Sequence, residues 1–182
     1  MTDPAARSGT ERVAEVAVHM PEVDIFVNVQ GDEPEIAGSA IDCVVELLEA
    51  RPEAVMATLA TPIRSRDQLL DPGCVKVVMD NQGRALYFSR SVIPHPRQWQ
   101  DELLSADPPV FFQHLGIYAY RRDFLLQMAQ LPPCPLEKLE SLEQLRVLAA
   151  GYSIFVGIVQ HRGRGIDTWE DYQAFVSRWA NC

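Results

Sequence analysis

The stretch Asp24-Ile25-Phe26-Val27-Asn28-Val29-Gln30, closed by Gly31-Asp32-Glu33-Pro34, constrains the fold more than any other part of the chain. Its apolar residues occupy consecutive positions, which predicts burial on both faces, as in a strand of a parallel sheet. The neighbouring segments supply helices. Ser8-Gly9-Thr10-Glu11 has capping-box spacing, Val13, Ala14, Val16 and Ala17 follow at helical intervals, and Pro21 closes a helix over 10–20. Ile41, Val44, Val45, Leu47 and Leu48 mark the buried stripe of a second helix over 39–51, and 55–63 reads as another strand. The order helix, strand, helix, strand predicts a doubly wound α/β sheet.

Beyond residue 75 the pattern changes. Val75-Lys76-Val77-Val78-Met79 and Ala85-Leu86-Tyr87-Phe88-Ser89 flank Asp80-Asn81-Gln82-Gly83, a hairpin signal. The sheet is therefore expected to be mixed, with an antiparallel hairpin insertion near 75–120. A loop over 94–109 carries Pro94, Pro96, Pro108 and Pro109, followed by a strand over 113–120 and a short helix over 124–130. Pro132-Pro133-Cys134-Pro135 breaks the chain before a single strong helix over 136–150, which Gly151 caps. A strand over 153–159 and an amphipathic helix over 168–179 complete the reading. No repeat and no long linker interrupts it, so 1–182 is expected to be one domain.

The 182 residues suffice for a core that needs neither disulfide nor metal to hold it. Sixteen Lys and Arg against 25 Asp and Glu give a net charge of −9, which argues against nucleic acid as a partner. A nucleotide stays open, since a few local cations and a metal suffice for a triphosphate. No apolar run approaches the ~18 residues of a membrane span, and MTDPAARSGTER has no apolar leader, so a cytoplasmic location with no membrane partner is expected. Cys43, Cys74, Cys134 and Cys182 are scattered, which suits small core residues in a reducing compartment rather than a zinc site. A P-loop, GxGxxG, nucleophile elbow and HExxH are all absent, so covalent catalysis is not indicated.

Two acids stand beyond strand ends, where ligands bind in open α/β sheets: Asp32 after VNVQG, and Asp167 after the strand over 153–159 and the turn HRGRGI. Together they can hold Mg²⁺. Singly, Asp32 can serve a tight turn and Asp167 the N-cap of the last helix. His114 and Tyr118, four apart on a strand, point to one face, either lining a pocket or forming the wet side of a sheet edge. Glu137, Glu140, Glu143 and Gln144 recur at helical spacing, ordinarily the mark of a solvated helix face.

Taken in order, SGTERVAEVA, FVNVQGDEP, MATLATPI, VKVVMDNQGRALYFSRSVIP, HLGIYAYRRDFL, CPLEKLESLEQLRVL and GIDTWEDY closely resemble the 3-deoxy-manno-octulosonate cytidylyltransferases, the CMP-Kdo synthetases of lipopolysaccharide assembly. The resemblance runs from Ser8 almost to the C-terminus. It implies a cytoplasmic, Mg²⁺-dependent homodimer of nucleotide-diphosphosugar-transferase (Rossmann-like) fold that couples CTP and Kdo to CMP-Kdo and diphosphate. By motif match it implies Asp32 and Asp167 as catalytic metal ligands. Gln30, His114, Tyr118, Glu143 and Gln144 would surround the sugar acid, with Arg90 of YFSR meeting its carboxylate. Ser8, Gly9, Thr10 and Arg12 would lie beside the cytosine nucleotide.

The family pattern opens with a strand and an Arg- and Lys-bearing triphosphate loop that has no counterpart here. The resemblance therefore implies an N-terminally incomplete domain whose sheet lacks its N-terminal strands, and a chain that is expected to be inactive without that loop. Cys134 stands where serine is common, and Trp169 where proline usually follows Asp-Thr. The alternative readings are a related CMP-sugar-acid synthetase, or a non-enzymatic remnant serving as a dimerisation or interaction module.

Overall fold

The computed structural model describes residues 2–3, 6, 8–31, 34–160, 166 and 168–179. One long strand, β5 (Phe112–Arg121), organises the sheet. The strand β2 (Met56–Pro62) pairs antiparallel along one side of it. On the other side, β1 (Ile25–Val29) pairs antiparallel with its C-terminal half, and β3 (Lys76–Met79) meets its N-terminal end through Lys76 opposite Gln113. A hairpin carries β3 into β4 (Ala85–Ser89), and β6 (Ile154–Ile158) adds parallel to β2. The order is β4-β3-β5-β2-β6, with β1 beside β5.

The sheet is thus mixed, as expected, and the first two strands run in the same direction. They are not neighbours, however: β5 lies between them and pairs antiparallel with both, so β1 is not the parallel-sheet strand its sequence predicts. Covered faces explain the consecutive apolar residues of β1. Phe26 enters one core cluster with α1 (Gly9–Val18) and α4 (Arg122–Met128), while Ile25 and Val27 pack against the other with α2 (Gly38–Glu49). Helices on both faces make the sheet doubly wound. At Gly157 of β6 an added Cβ would meet Leu59 Cδ2 at 2.8 Å and Leu47 Cδ2 at 3.3 Å, so only glycine lets α2 lie this close.

The hairpin turn forms where its sequence places it. Asp80 accepts from the Gln82 and Arg84 N–H groups, and Gly83 takes φ +82°, which an L side chain rarely adopts. Between β2 and β3 stands a five-residue helix, α3 (Arg66–Leu70), too short to leave a periodic signal in the sequence. It packs Leu69 with Ile63, Cys74 and Phe111 in a small third cluster.

The single helix expected over 136–150 is two: α5 (Pro135–Glu140) and α6 (Gln144–Ala149). Ser141 between them takes the left-handed conformation, φ 52°. The break is stabilised from both sides. Arg146 forms an ion pair with Glu137 across it, and Glu140 is held by β4 through the Ser89 hydroxyl. At the far end Gly151 caps α6 as expected, at φ +84°, with its N–H on Leu148 O and the Tyr152 N–H on Val147 O. A last helix, α7, spans Trp169–Trp179. Among the described residues no helix is long and apolar enough to cross a membrane.

Candidate functional site

The site forms where the N-terminus of α1, the end of β1, the middle of β5 and the start of α6 converge. Ser8 caps α1, its Oγ accepting from the Glu11 N–H at 3.2 Å. A Cβ on Gly9 would stand 3.4 Å from Asn28 Nδ2 and 3.7 Å from Gln30 Nε2, so α1 abuts the end of β1. Gln30 in turn lies over β5, its Cγ 3.3 Å from where a Cβ on Gly116 would be. Three motifs far apart in the chain, SGT, VQ and HLGIY, therefore meet through two glycines.

Glu143, just before α6, ties this group to the C-terminal half. Its carboxylate accepts from Ser8 Oγ at 2.9 Å and from Thr10 Oγ1 at 2.7 Å. Thr10 spends its only hydroxyl hydrogen there, so at the 3.5 Å contact with Tyr120 the phenol is the donor. Asn28 also bonds Tyr120, whose pKa burial raises. The row of acids read as a solvated face is therefore bonded throughout: Glu137 to Arg146, Glu140 to Ser89 and Glu143 to α1.

His114, Tyr118 and Tyr120 share one face of β5, with ring centroids 5.3 and 6.0 Å apart, and Phe88 of β4 meets His114 edge-on at 5.0 Å. They stand on an interior strand and not at a wet sheet edge. Between Thr58 and Leu59 the register jumps from Tyr118 to Leu115, an insertion of two residues in β5 that preserves alternation. The Thr58 hydroxyl satisfies this bulge by donating to Ile117 O at 2.7 Å, and stands 3.0 Å from His114 Nε2. With that hydrogen committed, Nε2 must be the protonated nitrogen, which leaves Nδ1 as an acceptor. Burial lowers the His114 pKa to about 3, so the ring is neutral at physiological pH. The Tyr118 pKa is raised by burial, then by Tyr120 and Glu143, so its phenol stays a hydrogen-bond donor.

Arg90 follows β4, and its guanidinium is pinned by Glu140 O at 2.7 Å (Nε) and Pro72 O at 3.1 Å (Nη1). Its own N–H donates to the Glu140 carboxylate at 2.9 Å. Gln144 is the first residue of α6, 3% exposed, and its Nε2 is buried with no hydrogen-bond partner among the described residues. A buried amide donor left open costs about 1–3 kcal/mol, so it is a natural place for a ligand acceptor.

Of the sequence-predicted residues, Ser8, Gly9, Thr10, Gln30, His114, Tyr118 and Glu143 are joined by these contacts. Arg12 turns away from Glu143, donating to Thr2 Oγ1 and Asp3 O. Asp32 and Asp167 lie outside the described residues, and among the described residues no three His, Cys, Asp or Glu gather as metal ligands. Asn28, Thr58, Phe88 and Tyr120 were missed. For Tyr120 the signal was present, since it stands two positions beyond Tyr118 and so on the same face. Asn28, a polar residue inside an apolar strand, carried a weaker one.

Residues 1–154 match the cytidylyltransferase family. The chain is 50% identical over 179 residues, 98% of its length, to the 3-deoxy-manno-octulosonate cytidylyltransferase of Rhodopirellula baltica, spanning 72% of that protein. It is 46% identical to the enzyme of the same name from Syntrophotalea carbinolica, with 94% of the chain and 69% of that protein covered. A solved structure of CMP:2-keto-3-deoxy-manno-octonic acid synthetase complexed with CTP superposes over the whole chain and 71% of its own length, with a TM-score of 0.86 and 39% identity. The 4-diphosphocytidyl-2C-methyl-D-erythritol synthase of Anaerococcus prevotii shares the fold at 11% identity and a TM-score of 0.54, over 97% of this chain and 68% of its own.

Proposed function

The chain belongs to the cytidylyltransferase family, among the 3-deoxy-manno-octulosonate cytidylyltransferases, and on that premise we propose that it couples CTP and Kdo to CMP-Kdo and diphosphate for lipopolysaccharide synthesis. The observation that carries this reading is the Glu143 clamp. The segment assigned to the nucleotide (Ser8, Thr10) and the segment assigned to the sugar acid (Glu143, Gln144) touch directly. Transfer needs both substrates side by side.

The reaction is in-line attack by the anomeric hydroxyl of Kdo on the α-phosphorus of CTP, with diphosphate leaving. Such a step calls for positioning and charge neutralisation, not a protein nucleophile. The neutral His114 offers Nδ1 to a sugar hydroxyl, and Tyr118 and Gln144 offer donors. Arg90 supplies a fixed cation for the carboxylate, and Gln30 flanks the sugar from the end of β1. Asp32 and Asp167 are hard oxygen donors of the kind Mg²⁺ prefers and would hold it. When bound, the ion neutralises phosphate charge. A cytoplasmic homodimer completes the proposal.

In this and the later activity tests the protein carries the family's Arg- and Lys-bearing N-terminal loop; given CTP, Kdo and Mg²⁺, it should release diphosphate and CMP-Kdo in equal amounts, which ³¹P NMR resolves. Product from another 2-keto sugar acid but not from Kdo would make it a related CMP-sugar-acid synthetase. Lack of turnover with every sugar acid would overturn the enzymatic reading. Asp32→Asn or Asp167→Asn should each lower turnover roughly 10³-fold with the fold retained by circular dichroism. Near-normal turnover in both variants would remove the metal assignment.

A further inference from the structure

Lys76 is fully buried. It opens β3 in the run Val75-Lys76-Val77-Val78, where an apolar side chain would carry no desolvation cost. Burying an ammonium costs several kcal/mol unless its hydrogens are satisfied. Its Nζ donates to Cys74 O at 2.6 Å and to Asp71 O at 2.9 Å, both in the turn that joins α3 to β3. The carbonyl between them, Pro72 O, accepts from Arg90 Nη1. Three carbonyls of one short turn thus point at two cations, one inside the fold and one at the candidate site. Arg90 is braced a second time by Glu140 O, and among the described residues no hydrogen bond occupies Nη2, whose hydrogens can serve a ligand.

We propose that Lys76 is a positioning residue for the sugar-acid subsite: it fixes the 71–74 turn so that Pro72 O aims the Arg90 guanidinium at the substrate carboxylate. The inference rests on the proposed reading of Arg90. Burial lowers the Lys76 pKa, Cys74, Asp71 and Glu140 oppose this, and Arg90 adds to it, so the two cations sense each other as well as sharing the turn.

Steady-state kinetics of Lys76→Met test this, with Lys76→Gln as the second variant should the first fail to fold. We expect KM for Kdo to rise about ten-fold, with KM for CTP and kcat within two-fold, and Lys76→Arg to recover part of the loss. Arg90→Gln should raise the same KM, and adding Lys76→Met to it should bring no further rise. An unchanged KM for Kdo, an equal rise for both substrates, or additive effects in the double variant would overturn the proposal. Calorimetric titration with 2-keto sugar acids separates the two readings. A wild type that binds a different acid fails the choice of Kdo alone, and equal binding of that acid by wild type and Lys76→Met fails the role of Lys76.

Discussion

At Gln144 a buried donor has no partner among the described residues, and that tension predicts a trade between stability and binding. Gln144→Met removes the open donor at similar volume and should stabilise the free protein by about 1 kcal/mol. The same change should raise KM for the sugar acid about ten-fold, because a hydrogen bond is lost. Thermal unfolding and steady-state kinetics on one sample check both halves, and a variant that binds Kdo normally would refute the assignment. His114 makes a prediction in pH. Its pKa is about 3 in the fold against 6.5 when free, so the unfolded chain takes up the proton first as pH falls. Stability linked to this group is fully present above pH 6.5 and lost progressively toward pH 3, on the order of 4 kcal/mol at the lower end. Urea denaturation between pH 7 and 4 should show a shallower acid slope in His114→Gln than in wild type. Parallel slopes would show that the ring is not held neutral.

Among the elements, the α5–α6 pair shows best what local sequence can and cannot specify. Cys134-Pro135 starts α5 as its sequence suggests, with proline at the first helical position. The cap itself is a thiol: Sγ accepts from the Glu137 N–H at 3.4 Å while Glu137 Oε2 accepts from the Cys134 N–H. Sulfur is a weak acceptor, so Cys134→Ser should stabilise the protein by about 0.5–1 kcal/mol, or about 1–3 °C in Tm. Calorimetry reads this directly, and no gain would mean the cap contributes nothing. The break at Ser141 was illegible because 136–150 is helical by every local measure. It arises from partners distant in sequence, Ser89 and Arg90 on Glu140 and the α1 hydroxyls on Glu143. Helix ends behave similarly. Neither α1 nor α2 has a basic residue in its last turn, yet Arg122 donates to Ala17 O and Arg121 to Leu48 O.

For the whole molecule, the exposed apolar surface predicts association. β1 has no strand partner on its outer edge among the described residues, and Val16, Val18, Met20 and Val29 are exposed near it in the chain. On α7, Trp169, Tyr172, Val176 and Trp179 recur at helical spacing and are exposed as well. Open edges and patches of this kind recruit other chains. Size exclusion with light scattering should show species larger than the monomer at tens of micromolar, and a monodisperse monomer would count against the dimer.

The fold class, the hairpin, the Gly151 cap and the ordered motif series were all readable from the chain, because each depends on periodicity, turn chemistry or residues adjacent in sequence. Tertiary structure alone decided the strand order, the helix break and the protonation states at the site. The insertion of β5 between β1 and β2 depends on pairing between residues far apart in the chain, such as Phe26 with Tyr120 and Met56 with Tyr120, which no local pattern encodes. Glu143 becomes a clamp, His114 a neutral acceptor and Lys76 a brace only through burial and through partners that folding brings together.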